Sequence, residues 1–556
     1  MRHDLTTSMG KVVYWALILV TLLISPTITF DPVNPMKVLA LTSLAFMGLG
    51  MLATNISSAV LNSYRLPLAL ISFFIFWLFV VFGFSSSEKL QQLFGVSGRN
   101  TGLITYLCFS IFFIVSLFAS DLINIRKFVK ACLIVGSVSI FYGVLQIYGI
   151  DPFPWQEIYS PVIGFLGNPN FQSSLIGVLG VVIFTQLFSK STSTKIKGMF
   201  CGYLLISLYV IFQTESQQGF LVLLIGSATS LGVFLFNQSA RIGFVYFLSG
   251  LIGLVGMIFG ILNKGPLATI LYKDSVTYRG DYWRAGWNMT LENPIFGVGF
   301  DAYGEWYRRS RTLEAAIRRG PDIVSDAAHN VYIDISSSGG LPLLSGYIAL
   351  MILVLVSSVK VLVREKSFNA GFVSLFAAWI AFQAQSIISI NQIGLAIWGW
   401  VLAGLIVGYE INTRHIEKTD LEMKRKKKQT HIKQSSPSRV LGIVGGLSIG
   451  FLIGLPTFFS SAQHNIALGK TDIASVTEAA YIWPYEPFRI IQVAKTLNDN
   501  NVTTNALNVI LFGTQKFPDN YAIWNTLSIM TSASPTQKSL ALEQMKRLDP
   551  LNPNLR

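Results

Sequence analysis

Apolar runs of about 20 residues recur along the whole of this 556-residue chain, and no other feature constrains its fold as tightly. A helix rising 1.5 Å per residue needs ~20 apolar residues to cross a hydrocarbon core of ~30 Å. About thirteen runs meet that length: 11–29, 36–54, 65–84, 101–120, 127–148, 171–188, 195–213, 219–236, 241–262, 340–363, 370–390, 392–411 and 440–460. Charged residues make up 13% of the chain, half the ~25% of a soluble domain, which excludes an ordinary cytosolic enzyme. The expected fold class is all-α: a polytopic helical membrane protein with about 13 transmembrane helices, a long extracytoplasmic loop and a helical extracytoplasmic tail. The first run follows Arg2 and Lys11 as a signal peptide would, but it lacks a small-x-small cleavage site and reads as a retained anchor. Cys108, Cys132 and Cys201 lie inside apolar runs, so no disulfide is implied.

The net charge of +14 would point to nucleic acid in a soluble protein. Here it stems from topology. With the N-terminus inside, the short cytoplasmic segments collect Arg65, Arg126, Lys127, Lys130, Lys190, Lys195, Lys197, Arg241, Lys360, Arg364 and Lys366. The stretch 413–439 adds the run Lys424, Arg425, Lys426, Lys427, Lys428, as well as Lys433 and Arg439. The short outside loops hold little more than Lys37, Lys89 and Arg99, so one orientation satisfies the positive-inside rule and the other violates it. The basic run reads as a solvated clamp near anionic lipid, with no nucleic-acid partner. The expected organisation is N-terminal membrane helices (1–262), a large outside loop (263–339), further membrane helices (340–412), a basic cytoplasmic loop (413–439), a last membrane helix (440–460) and an outside tail (461–556).

In the tail, Pro484, Pro518 and Pro550 stand 34 and 32 residues apart, with helical patterns between them. That period resembles tetratricopeptide-like helical hairpins; the alternative is a plain helical bundle packed on the membrane domain. Read as a repeat, the tail is a contact appendage for protein or glycan. Its deletion is then expected to spare chemistry on small acceptors.

The unusual polar clusters all fall on the outside face, where polar groups at membrane depth are expensive and tend to be functional. They are SGRNTGLITY with Arg99; GFLGNPNFQSS with Asn168 and Asn170; QTESQQGF with Gln217; and TYRGDYWRAGWNMTLENPIFGVGF with Arg279, Asp281 and Arg284. The last is SDAAHNVYIDISSSGGLPLL with Asp326, His329 and Asp334. Singly, each has a structural reading. Arg99 can be a snorkelling anchor, the Asn-Pro-Asn turn a loop stop, His329 a helix cap, and Arg279 or Arg284 a surface partner of Asp281 or Glu292. GVGF is not a dinucleotide fingerprint, because no strand or GxGxxG accompanies it.

Taken together they resemble the O-antigen ligase and polymerase superfamily. The resemblance rests on Arg279 four residues before Trp283, the Pro-x-x-Gly-x-Gly turn at 294–299, and His329-Asn330 ahead of Gly-Gly-Leu-Pro, with GRNTGLITY and GNPN upstream. It covers most of residues 95–410, and the tail resembles the helical appendage of some members. Two departures stand out: Gln217 occupies the place of a family Arg, and Ser338 that of a Glu. The resemblance implies a glycosyltransferase that takes a glycan from a polyprenyl-diphosphate donor to a glycan, lipid or protein acceptor, at the outer face of a bacterial cytoplasmic membrane. It implies single displacement with inversion. Arg279 would neutralise the leaving diphosphate, with Arg99 and Arg284 contributing. His329 would accept the acceptor's proton and Asp326, three residues earlier on a helical turn, would orient its ring. Asn168, Asn170 and Gln217 are the remaining expected donor-binding residues. No cofactor and no metal is expected, since the outside loops lack Asp-x-Asp pairs and clustered His or Cys. The competing classes are a lipid-linked sugar transporter or flippase, and a non-catalytic membrane scaffold.

Overall fold

The apolar periodicity is realised as helices throughout. The computed structural model describes residues 2–54, 58–153, 155, 160, 162–272, 274–365, 367–423, 437–470 and 472–555, and among these it is all-α, without a strand. Each of the thirteen expected segments falls largely on a helix, the first of them only as far as Leu22. Ten helices among the described residues are long and apolar enough to cross a membrane, and Thr6–Leu22 and Leu103–Ala119 are shorter apolar helices. The chain is a multi-pass membrane protein. Lys366, the run 424–428, His431 and Lys433 lie outside the described residues.

Several boundaries differ from expectation. The helix expected over 11–29 spans Arg2–Leu22, so 23–29 lies beyond its end. The helix expected from 340 starts at Val331 and runs to Arg364, so the end of the supposed loop is its first two turns. The helix expected to end at 411 continues to Met423, taking up part of the supposed basic loop. The last one spans Pro437–Leu468, carrying the chain past 460 into the tail without a break.

Burial orders the bundle. The segment Ile393–Arg414 is wholly buried along its most apolar stretch, whereas Ala240–Ile261 is 6% buried and forms the rim. The last helix is held by backbone contact: Cβ atoms added at Gly446 and Gly450 would stand 2.2 and 2.3 Å from the carbonyl oxygens of Phe46 and Thr42. With Gly442 and Gly454 these residues form a small-residue face every fourth position, the device by which helices approach closely in lipid.

At one end of the bundle several loops meet. Asn34 Nδ2 donates to the Gly98 carbonyl at 2.8 Å, and Gln392 Nε2 donates to Asn34 Oδ1 at 3.2 Å. The Phe30 amide donates to the Ser461 carbonyl at 3.1 Å. The region 263–339 is built over this end, chiefly as the helices Asp274–Glu292, Tyr303–Ser310 and Leu313–Arg319. The tail continues with Pro487–Asp499, Thr503–Lys516, Tyr521–Ile529 and Pro535–Leu548, which bury a core of their own around Ile490, Val509, Ile523 and Leu527.

Candidate active site

Two motifs that stand 40 residues apart in sequence lock together and shape this site. In the Val331–Arg364 helix, Gly340 breaks the helical path (φ 72°, ψ −178°) and Pro342 has no N–H to donate. The carbonyls of Ser337 and Ser338 are left without helical partners, and they accept the amides of Val298 and Gly299 at 2.8 and 2.9 Å. The Leu341 amide donates to the Pro294 carbonyl at 2.8 Å, and Trp77 Nε1 to the Gly339 carbonyl at 3.1 Å. Four backbone groups at the kink, the carbonyls of Ser337, Ser338 and Gly339 and the Leu341 amide, are thereby paired. A Cβ at Gly340 would lie 2.3 Å from the Ile295 carbonyl oxygen, and one at Gly297 would lie 2.4 Å from Ser338. These glycines are a joint between two backbones.

The joint fixes the residues on the far side of each motif. After Gly299 and Phe300 comes Asp301, whose buried carboxylate accepts the amides of Val96 and Thr101 at 3.1 and 2.9 Å and also the Thr101 hydroxyl. The Gly95–Gly102 turn wraps around this carboxylate and brings Arg99 Nε to 3.6 Å from Asp301 Oδ1. Arg99 NH1 also donates to the Asp326 carbonyl, tying the turn to the segment that carries His329. On that side Asn330 caps the kinked helix, its side chain accepting from Tyr332 and Ile333 at 3.0 and 3.2 Å. Asp334 Oδ1 accepts the Ala328 amide at 2.8 Å. His329 sits in the turn between them.

Asn100, Asp301 and His329 all adopt left-handed conformations (φ 52°, 53° and 52°). A non-glycine residue there costs of order 1–3 kcal/mol, and such strain clusters at functional sites. Three instances on the contacting segments of one cluster identify it as the candidate site.

The fourth element is the Asp274–Glu292 helix. Tyr282 places its ring 5.6 Å from the His329 ring, and Gly286 lets Ile333 and Tyr303 close on the same face. Arg279, one turn before Tyr282, shares that face. It is half-buried, and among the described residues it has no hydrogen bond or ion pair. Burial draws its pKa below the ordinary guanidinium value. Burial also pushes the His329 imidazole down, to about 4, with Arg279 and Arg99 adding to the effect and Asp326 opposing it. The ring is therefore neutral at physiological pH. For Arg99, burial alone would favour the neutral form, but Asp301, Asp326 and Asp334 together outweigh it and hold the charge. Arg99 Nε, Asp334 Oδ2 and Trp283 Nε1 are buried without a hydrogen bond among the described residues.

The expected residues divide into two groups. Arg99, Arg279, Asp326 and His329 converge. Asp326 does so differently from expectation: 325–330 is irregular rather than a helical turn, and the exposed Asp326 acts on His329 through charge, without a hydrogen bond to the ring. Arg284 lies five residues beyond Arg279, about 140° around the helix, and is exposed. Asp281 pairs with Arg318 at 2.7 Å, leaving both Arg279 and Arg284 without it. Asn168 caps the Pro169–Gln186 helix, Asn170 Oδ1 accepts from Ser216 at 2.7 Å, and Gln217 is exposed at a helix start. No hydrogen bond or ion pair among the described residues joins these three to His329. Asp301 was not singled out by sequence; its one cue is its place directly after the GVGF turn. No group of three or more His, Cys, Asp or Glu among the described residues is arranged to hold a metal ion.

A family model described as O-antigen ligase matches residues 202–348. The match takes in Arg279, the locked 294–299 turn, His329 and the kink at Gly340; Arg99 and the tail lie outside it. No curated protein matches the chain. The family match supports a place in the O-antigen ligase superfamily and points to a glycan ligase or polymerase, a glycosyl-transferring enzyme of a bacterial membrane.

Proposed function

We propose that this protein transfers a glycan from a polyprenyl-diphosphate carrier to an acceptor hydroxyl at the outer face of the bacterial cytoplasmic membrane, its N-terminus inside and its tail outside. The observation that carries this reading is Arg279: a half-buried guanidinium with no hydrogen bond or ion pair among the described residues, close enough to His329 for its charge to act on that imidazole. Burying an unpaired charge is costly, and a cation left in that state suits an incoming anion.

The reaction is a single displacement. The acceptor oxygen attacks the anomeric carbon, and the bond from that carbon to the diphosphate oxygen breaks with inversion. The electron pair leaves on the diphosphate, where Arg279 and Arg99 stabilise the growing charge. His329 takes the acceptor's proton. The same two guanidiniums contribute to holding His329 below its usual pKa in the free protein. A bound diphosphate would offset them and strengthen the base when a donor is present.

The tail supports a polymer or protein acceptor. Its helix pairs 487–516 and 521–548 succeed one another with the spacing of tetratricopeptide-like hairpins. The test is reconstitution of the purified protein with an undecaprenyl-diphosphate glycan and candidate acceptors, read by mass spectrometry. Glycan appearing on an acceptor in wild type but not in Arg279→Lys or His329→Ala is the expected result. Equal transfer by all three overturns the assignment.

A further inference from the structure

The tail meets the 263–339 region through a buried ionic node. Asp549 comes directly after the last residue of the Pro535–Leu548 helix, where the helix dipole disfavours a carboxylate. It is nonetheless fully buried, and Arg311 NH2 donates to both its oxygens at 2.8 and 2.9 Å. Arg308 NH1 donates to Oδ2 at 2.8 Å, and Asn552 Nδ2 to the same oxygen at 3.2 Å. The two guanidiniums also reach the other limb of the loop. Arg308 and Arg311 donate to the Pro321 carbonyl at 2.8 and 3.0 Å, and Arg311 to that of Ile323 at 3.4 Å. One limb leads back through the Tyr303–Ser310 helix to Asp301, and the other leads on to Asp326 and His329.

We infer that Asp549 is a positioning residue for transfer: it clamps both limbs of the loop and so holds Asp301, with Arg99, at a fixed distance from His329. This deepens the transfer reading above and rests on it. It also changes the part played by the tail. Removing residues 461–556 would strand two buried guanidiniums beside the site, so the tail is a structural wall of the catalytic loop as well as a contact surface.

The test uses the full chain in lipid nanodiscs and two readouts, amide hydrogen exchange and steady-state transfer. Asp549→Asn should speed exchange about tenfold in peptides covering 301–311 and 320–330 and leave the membrane helices unchanged. It should lower kcat by about tenfold or more with donor and acceptor KM little altered, because misplacement at the chemistry costs rate rather than binding. Asp549→Glu should recover part of both. Should Asp549→Asn not fold, Asn552→Ala removes one hydrogen bond to the same oxygen and should give the same pattern more weakly. Wild-type kcat in a folded Asp549→Asn protein, or faster exchange confined to 535–555, overturns the inference while leaving the transfer reading intact. A wild type that transfers no glycan sinks that reading and the positioning role with it; faster exchange at 301–330 would then show a mechanical link alone.

Discussion

Two clusters of arginines involve the 263–339 loop, and they differ in how the charge is met. At the tail node, Arg308 and Arg311 share a fully buried carboxylate and several backbone carbonyls. At the site around His329, Arg279 has no hydrogen bond or ion pair among the described residues. A closed node of this kind gives a fixed geometry. An open one leaves charge for something the protein does not itself contain. The difference separates arginines whose charge the fold itself meets from one whose charge it leaves open, which residue type alone does not do.

The largest expected effect falls on the open site. His329→Ala should lower kcat by about 10²–10⁴-fold, the usual worth of a positioned general base. Arg279→Lys should be comparably damaging, since an ammonium lacks the planar, two-pronged donor geometry. Neither should lower the thermal unfolding midpoint, and Arg279→Leu should raise it slightly by removing an unpaired charge. A marked loss of stability in Arg279→Leu would show that this arginine is structural after all.

Stability should respond in the opposite sense at the closed node. Asp549→Ala leaves two guanidiniums without their carboxylate, a cost of about 3–5 kcal/mol for breaking a buried pair. Chemical denaturation followed by the tail tryptophan Trp524, which packs in the tail core, measures it. Between these two cases stands the backbone joint. Gly340→Ala forces a Cβ into a left-handed position against the Ile295 carbonyl and should cost about 1–3 kcal/mol, with transfer falling alongside stability.

How much of this was legible in the sequence depends on the range of each interaction. Hydropathy is local, and each of the thirteen expected segments falls largely on a helix, though the first ends at Leu22 and not at 29. The recurrence of Gly442, Gly446, Gly450 and Gly454 at every fourth position was equally readable, but without structure it names no partner helix. The 294–299 turn and the Gly-Gly-Leu-Pro sequence were visible as separate signatures; that they bond to each other is a contact across 40 residues. The same holds for Asp301, which comes after a visible motif but is defined by a turn 200 residues earlier. Asp549 is the extreme case: it stands next to Pro550 with no cue of its own in the sequence, and its partners lie 238 and 241 residues away. Arg284 shows the converse limit: it is a residue of the expected type near the motif, and its place on another face of the helix from Arg279 is not visible in residue type alone.

The pH profile bears on the open site alone. Burial and the two guanidiniums hold His329 at about 4, so in the free protein the base stays unprotonated until the pH falls through that value. The acid limb of kcat/KM should therefore lie near 4, well below the ~6.5 of an ordinary histidine. The limb of kcat reports the donor complex, where a diphosphate offsets Arg279 and Arg99, and it should lie higher, between those two values. Stability carries the same signature: the unfolded chain takes up this proton first, so the contribution of His329 to stability falls as the pH drops from ~6.5 towards 4. Coincident limbs for kcat and kcat/KM would mean that no anion binds beside the ring.

The smallest expected effect is a control on the extent of the site. Arg284 is exposed and belongs to neither the node nor the His329 cluster. Among the described residues it has no hydrogen bond or ion pair, and a surface charge in that position contributes within about 0.5 kcal/mol. Arg284→Ala should leave kcat, KM and the unfolding midpoint near wild type, measured beside Arg279→Lys in the same nanodisc preparation. A loss of transfer comparable to that of Arg279→Lys, with stability unchanged, would mean that the donor wraps around the Asp274–Glu292 helix and that the open site reaches past the face bounded by Tyr282 and Gly286. An unpaired arginine on the solvent side would then count as functional for the same reason as Arg279, and burial would no longer be the criterion that tells the two apart.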